Sequence, residues 1–281
     1  MDTPFSDPSP SISPQQFFAL TGRSNSPMVI DVRRAPSFAE SERILFGARR
    51  CAPEEVARFA LDKAAQDAVV YCVHGHEVSA EAAATLRAAG WSARFLQGGI
   101  EGLIEAGLPT LRKRADLGVT GAQPSRWITR ERPKIDRIAC PWLIRRFIDP
   151  RAEFFYVPTA QVFQEAARLG AVAYDIPGAP ISHAGERCSF DTLMSAFELS
   201  SPALEVLARI VRGADTDRLD LAAQAAGLLA LSLGLSRLHQ DDHAMLQAAL
   251  PLYDALYAWC QGAQCETHSW KPESMAGGKA A

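Results

Sequence analysis

Apolar and polar positions change rhythm several times along the chain. In the first hundred or so residues, short β-rich runs, MVIDV (28–32), AVVYC (68–72) and ARFLQ (93–97), alternate with segments of helical spacing, PEEVARFALDKAA (53–65), SAEAAATLRAAG (79–90) and GIEGLIEAG (99–107). Strands that alternate with helices predict a parallel sheet covered by helices, so 11–112 is expected to be a small α/β domain. After Pro109 the stretch TLRKRADLGVTGAQPSR has no sustained hydrophobic period, and 113–125 is expected to be a linker.

The second half, 126–262, is expected to be α/β at first and a cluster of helices afterwards. RWIT, EFFYVP and AVAYDI predict strands, while RIACPWLIRRFI and TAQVFQEAARLG predict helices; from Phe190 to about Gly262 the apolar spacing is helical. The most apolar stretch, LAAQAAGLLALSLGLS (221–236), is broken by Gln224, Ser232 and two glycines and falls short of the ~20 apolar residues that span a bilayer. It predicts a buried helix. MDTPFSDPSPSISP at the start and residues 263–281 at the end predict disordered segments, and the start lacks the basic and apolar regions of a signal peptide.

Composition narrows the function classes. With 281 residues, 48% hydrophobic and 22% charged, the chain suits a soluble protein of two domains. A formal net charge of -3 gives no overall reason to expect nucleic acid or an anionic membrane as partner. Six cysteines, at 51, 72, 140, 188, 260 and 265, are too irregular for a disulfide framework and suit a reducing, cytoplasmic setting.

Cys72 is the first candidate for chemistry. It ends a strand and precedes a helix that Ser79 is expected to cap, with Glu81 in its first turn and Gly90 closing it. In that geometry the loop Val73, His74, Gly75, His76, Glu77, Val78 and Ser79 can curl its N–H groups around an anion, and the helix dipole favours the thiolate. Gly75 supplies a tight curl, and His74 or His76 a donor or a positive charge. The plainer alternative is an inert strand cysteine beside solvated histidines.

Three separated segments, VIDVRRAPSF, YCVHGHEVSAEAAATLRAAGW and LQGGIEGLIEAGLP, resemble in order and spacing a single-domain rhodanese. The resemblance covers about 11–112. It implies sulfur transfer without a cofactor: Cys72 takes a sulfane sulfur from a donor such as thiosulfate, becomes a persulfide, and passes the sulfur to a thiophilic acceptor. Asp31 and Arg33 match a signature whose implied role is structural support around the loop. The loop departs from the family pattern, with Glu77 and Val78 where an arginine and a serine are usual and Ser79 one residue late. Glu77, turned inward, would repel a dianion by more than ~1 kcal/mol. Longer loops of this kind resemble those of phosphatases and arsenate reductases, which also depend on an arginine.

The second half holds scattered ligand types. ISHAGERCSFDTL contains His183, Glu186, Cys188 and Asp191, RGADTDR contains Asp215 and Asp217, and RLHQDDHAML contains His239, Asp241, Asp242 and His243. His239 and His243, at i and i+4, are expected to share a helix face, with His183 or Cys188 completing a metal site of unspecified ion. Capping aspartates, a solvated helix face and a core cysteine are the plainer alternatives. KIDRIACPWLIRRFIDP adds Asp136, Arg137, Cys140, Arg145 and Arg146, either a group suited to oxyanions or an amphipathic helix with a basic exposed side. WITRERPKIDRIACPWLIRRFIDP, SHAGERCSFDTL, VRGADTDR and LGLSRLHQDDHAML together resemble the C-terminal domain of chromate-resistance proteins of the ChrB type, over roughly 126–262. That resemblance implies chromate as a ligand and leaves open a sensing or binding role, with the rhodanese-like half inactive. No helix-turn-helix pattern accompanies it.

Overall fold

The structure is a computed structural model, and it describes residues 9–266. The elements run β1 (Ser11–Ile12), α1 (Pro14–Phe18), β2 (Met28–Asp31), α2 (Ala35–Glu40), β3 (Arg43–Ile44), β4 (Ala48–Arg50), α3 (Val56–Asp62), β5 (Asp67–Tyr71), α4 (Glu77–Ala88), β6 (Ser92–Leu96), α5 (Gly99–Glu105) and β7 (Leu111–Arg112). Then follow β8 (Arg126–Arg130), α6 (Asp136–Leu143), β9 (Glu153–Val157), α7 (Val162–Leu169), β10 (Val172–Ala173), α8 (Ser189–Ala196), α9 (Pro202–Asp215), α10 (Ala225–Leu238) and α11 (Asp242–Ala258).

The alternating strands and helices of the first hundred residues build the parallel sheet that their pattern predicts, in the order β1-β6-β5-β2-β4. Ile30 pairs with Val70 and Asp31 with Tyr71 in its centre, where all four are buried. One face is covered by a cluster that includes Val70, Ala83, Leu86 and Trp91. The other contributes Val29, Val69 and Leu96 to a larger core that continues into the second half through Phe147, Phe190 and Tyr253. There a second parallel sheet, β10-β8-β9, packs against helices, and α8 to α11 form the helical remainder.

Several expectations change. The end of the supposed lead-in is a strand, with Ser11 and Ile12 paired to Phe95 and Leu96; residues 1–8 lie outside the described residues, as do 267–281 of the expected tail. The 113–125 segment is folded: Arg114 bridges Val119, Leu117 and Val119 are buried, and the Gly121 carbonyl accepts from Arg50 N–H and from Arg151 Nη2, each at 2.9 Å. Two anchoring side chains are too few to make a hydrophobic period. The helix expected to be buried, α10, turns only Ala225, Leu228, Ser232 and Ser236 inward and leaves Leu231 54% and Leu238 77% exposed. Three of these four inward residues are small, so several of the leucines that raise its hydropathy face outward. No helix among the described residues is long and apolar enough to cross a membrane.

Candidate functional site

Tyr71 ends β5 and Cys72 follows it, with Glu77 opening α4. Gly75, at φ +69°, turns the chain so that its N–H donates to Cys72 Sγ at 3.2 Å. The helix starts three residues earlier than expected. His76 is its N-cap, and Ser79, expected in that place, lies fully buried in the first turn with Oγ 3.2 Å from Cys72 Sγ; the first-turn acid is Glu77, in place of Glu81. The Ser79 hydroxyl has two acceptors within reach, the His76 carbonyl at 3.2 Å and the sulfur. It can accept from a thiol and donate to a thiolate, so the rotor can follow the charge. His74, His76 and Glu77 are exposed, with the two imidazole rings 6.1 Å apart, so the Glu77 carboxylate is solvated.

The loop is fixed from below. Ile100 N–H donates to the Cys72 carbonyl and Glu101 N–H to the Val73 carbonyl, both at 3.1 Å, so the start of α5 holds the loop backbone. Gly99 sits at φ +61° against Cys72, Val73 and Gly75 with no room for a side chain. The GG pair of LQGG is therefore a backbone contact surface.

Asp31 and Arg33 form a buried pair one strand away. Asp31 Oδ1 accepts from Arg33 N–H at 3.1 Å and Nε at 3.0 Å, and Oδ2 from Arg33 Nη2 at 2.6 Å and Tyr71 O–H at 2.7 Å. Arg33 Nη2 also donates to the Arg43 carbonyl at 3.0 Å. Burial pulls the Arg33 guanidinium down, but Asp31 and Tyr71 outweigh it and leave it above its ordinary value. The group ties β2 and β5 to the segment at Arg43, and none of these bonds reaches Cys72.

The four residues expected to hold a metal do not converge. His239 ends α10 in extended backbone, while His243 lies in the first turn of α11 with its ring 5.4 Å from that of Tyr156. The break between two helices cancels the i, i+4 logic. Cys188 is the buried residue that precedes α8, its thiol pushed up by burial and then by Asp136. Cys188 borders a carboxylate cluster through Asp136, and His183 enters it: its Nε2 lies 3.0 Å from Asp215 Oδ2, 3.4 Å from Asp175 Oδ1 and 3.6 Å from Asp136 Oδ2. Donor atoms of Asp136, Asp175 and His183 all fall within 4.8 Å of one another.

Backbone N–H groups of Ser189 and Phe190, at the start of α8, hold Asp136, and the Ser189 hydroxyl donates to Asp175 at 2.8 Å. Arg137 approaches Asp175 at 3.3 Å. Burial first, then Asp215 and Asp175, hold the Asp136 carboxyl well above the usual carboxylate range; Asp215 is raised by burial and by Asp175. Asp175 and Ile135, beside Asp136, both have left-handed backbone, at φ +50° and +36°. Three carboxylates and one imidazole are a donor set for a hard divalent cation that prefers oxygen. Sequence reasoning picked out Asp136 and Asp215 without joining them and missed Asp175, whose only signal was an aspartate at a strand end.

The basic side expected on the helix of 136–148 is not a free surface. Arg146 makes a bidentate pair with Asp254 at 2.7 and 2.8 Å, and Arg145 stacks on Phe154 at 5.2 Å. A π-helical turn over Ile144–Ile148 directs both.

A parallel sheet with a cysteine loop ahead of a helix defines the first half as an α/β domain of rhodanese-like build. The family model for the Rhodanese-like domain matches residues 13–106, and that for ChrB, C-terminal domain, matches residues 127–260. The chain thus joins a rhodanese-like domain to a ChrB C-terminal domain. Protein ChrB of Cupriavidus metallidurans is 33% identical over 139 residues, which are 49% of this chain and 41% of that protein. The chain therefore spans well under half of that curated relative. Two solved structures are similar to the first half. A full-length protein from Lactobacillus plantarum is 25% identical, with a TM-score of 0.32, over 37% of this chain and 88% of its own. A rhodanese-related protein from Thermoplasma volcanium is 22% identical, also with a TM-score of 0.32, over 36% and 97%.

Proposed function

We propose that this chain transfers sulfane sulfur through a persulfide on Cys72 and serves chromate resistance. The observation that carries the reading is the pair of groups on one sulfur, the Gly75 N–H that donates to Cys72 Sγ and the Ser79 hydroxyl that can donate to its thiolate, each at 3.2 Å. The Cys72 thiolate attacks the outer sulfur of thiosulfate, an S–S bond forms to Cys72, and the S–S bond of the donor breaks so that sulfite leaves with the electron pair. A thiophilic acceptor then attacks the terminal sulfur and returns the thiolate. Gly75 N–H and the Ser79 hydroxyl stabilise the charge that returns to Cys72, and the exposed histidines add positive charge at the mouth when protonated. The transfer uses no cofactor, and a cytoplasmic thiol pool suits it as acceptor. The rhodanese-like family match supports the sulfur chemistry, and the ChrB match supports the tie to chromate.

The test is an intact-mass spectrum after incubation with thiosulfate. One added sulfur on the wild type and none on Cys72→Ser is the expected result. No added sulfur with thiosulfate or with a low-molecular-weight persulfide refutes the transfer.

A second reading is favoured by the convergence of Asp136, Asp175 and His183. In it the ChrB-like half binds a divalent cation. Equilibrium dialysis with Mn2+ should give saturable uptake that Asp175→Asn removes; uptake unaffected by that substitution refutes the assignment.

A further inference from the structure

A cleft of about 260 Å³ opens between the two halves, lined by Arg23, Arg49, Arg145, Arg146 and Arg151 and by no aspartate or glutamate. In a chain of net charge -3 this is a concentration of one sign. Two of the five have their charge answered from behind, Arg146 by Asp254 at 2.7 Å and Arg151 by Asp149 at 3.3 Å. Arg49 and Arg145 have no carboxylate within ion-pair distance among the described residues. Arg49 offers Nη1 to the Met28 sulfur at 3.3 Å, and Arg145 lies over the Phe154 ring. Burial lowers the Arg49 guanidinium, and Arg151 lowers it further against the opposing pull of Asp149.

We infer that this cleft is a binding site for a tetrahedral oxyanion of charge two. Guanidinium groups present planar forks of N–H donors that match such oxygens two at a time. A carboxylate offers two oxygens in one plane. Here the forks come from β4, from the 144–148 turn and from residue 151, and four oxygens arranged tetrahedrally can accept from several of them at once. The site joins both halves, because Arg49 belongs to the rhodanese-like domain and Arg145, Arg146 and Arg151 to the ChrB-like one. It is separate from the persulfide chemistry: Met28 and Gln66 place the cleft at the starting ends of β2 and β5, and Cys72 follows the far end of β5.

Isothermal titration of the full chain with sodium sulfate, at ionic strength matched with sodium chloride, tests the site. One sulfate per chain is expected, with affinity at least tenfold lower in Arg49→Gln and in Arg145→Gln and unchanged in Arg58→Gln, whose partner is the exposed Asp62. Neither of the first two substitutions breaks an ion pair. Phenyl phosphate is titrated in parallel. Sulfate binding lost in both variants identifies a free oxyanion, while phenyl phosphate binding alone, lost in the same variants, places the group on an organic ester. Absence of saturable binding for both anions, or variants that bind as the wild type does, overturns the site. Selenate soaked into crystals of the wild type gives a check independent of variant stability: an anomalous peak between Arg49 and Arg145 is expected, and a peak elsewhere only is a refutation.

Discussion

Gly99→Ala should damage both stability and sulfur transfer, although residue 99 carries no chemistry. At φ +61° an alanine costs about 1–2 kcal/mol in backbone strain. Its Cβ would also stand 2.6 Å from the Cys72 carbonyl oxygen and 2.6 Å from Gly75 N, and closer still to the Val73 oxygen. All three are backbone atoms of the loop, so relief requires the loop to move, at a cost of about 1–3 kcal/mol for overpacking. A total of about 2–5 kcal/mol is expected. Gly107→Ala is the internal control: its φ is +69° but nothing lies within 4 Å, so only the strain of about 1–2 kcal/mol applies. Urea unfolding of the two variants separates contact from strain. Persulfide formation from thiosulfate, measured by mass on the folded fraction, reads the loop, because displacing Gly75 withdraws its N–H from Cys72. A Gly99→Ala protein as stable as Gly107→Ala and equally competent in forming persulfide would refute the claim that the second glycine of LQGG holds the cysteine loop by backbone contact.

Other perturbations have a defined sign. Arg33→Met leaves the buried Asp31 carboxylate with Tyr71 as its only side-chain donor among the described residues, and should cost about 3–5 kcal/mol in urea unfolding; a loss below about 1 kcal/mol would mean that the pair is dispensable. Burial and Glu55 push the Cys51 thiol up to about 11, above its ordinary value of 9.0, so folding favours the neutral thiol. That contribution is full below pH 9.0 and is lost as pH rises through about 11. Tm of the wild type should therefore fall more steeply over this window than Tm of Cys51→Ala, and parallel slopes would contradict it. His239→Ala and His243→Ala should leave Mn2+ uptake unchanged, since neither imidazole reaches the cluster at His183, and loss of uptake in either would restore the helical histidine pair.

Local pattern carried most of the first domain. Alternation of strand and helix predicted β2, β5, β6, α3 and α5, because each buries a contiguous run or stripe that its own sequence displays. The start of α4 escaped, since Ser79 has the chemistry of a cap but spends it on the sulfur of Cys72 and the His76 carbonyl. The outward leucines of α10 misled for a related reason: hydropathy counts side chains, whereas packing turned inward three small residues and Leu228 and left Leu231, Leu233 and Leu238 exposed. The candidate cation cluster was beyond any local pattern. Asp136, Asp175, His183 and Asp215 come from four segments, and the left-handed residues that aim them, Ile135 and Asp175, are neither glycine nor asparagine.

The packing between the two halves determines how coupling can be tested. Phe46 meets Phe147 edge-on at 6.1 Å, Phe147 meets Tyr257 at 5.6 Å, and the Gly47 N–H donates to the Phe147 carbonyl at 3.2 Å. Arg43 pairs with Glu198 at 2.8 Å, and Arg114 Nη1 reaches the Ala196 carbonyl at 2.7 Å. Cutting the chain within 113–125 would bare this shared core, and each aromatic side chain returned to water costs about 1.5–3 kcal/mol. Separated halves that perform poorly when mixed would thus report lost packing, whatever the chemistry of the two sites. Point changes inside the intact chain avoid the confusion. Cys72→Ser and Asp175→Asn lie outside that seam, so each can be scored at the other's site, and the double variant closes a cycle. Effects that add mean two independent activities on one scaffold; an interaction above about 0.5 kcal/mol means that the sites communicate.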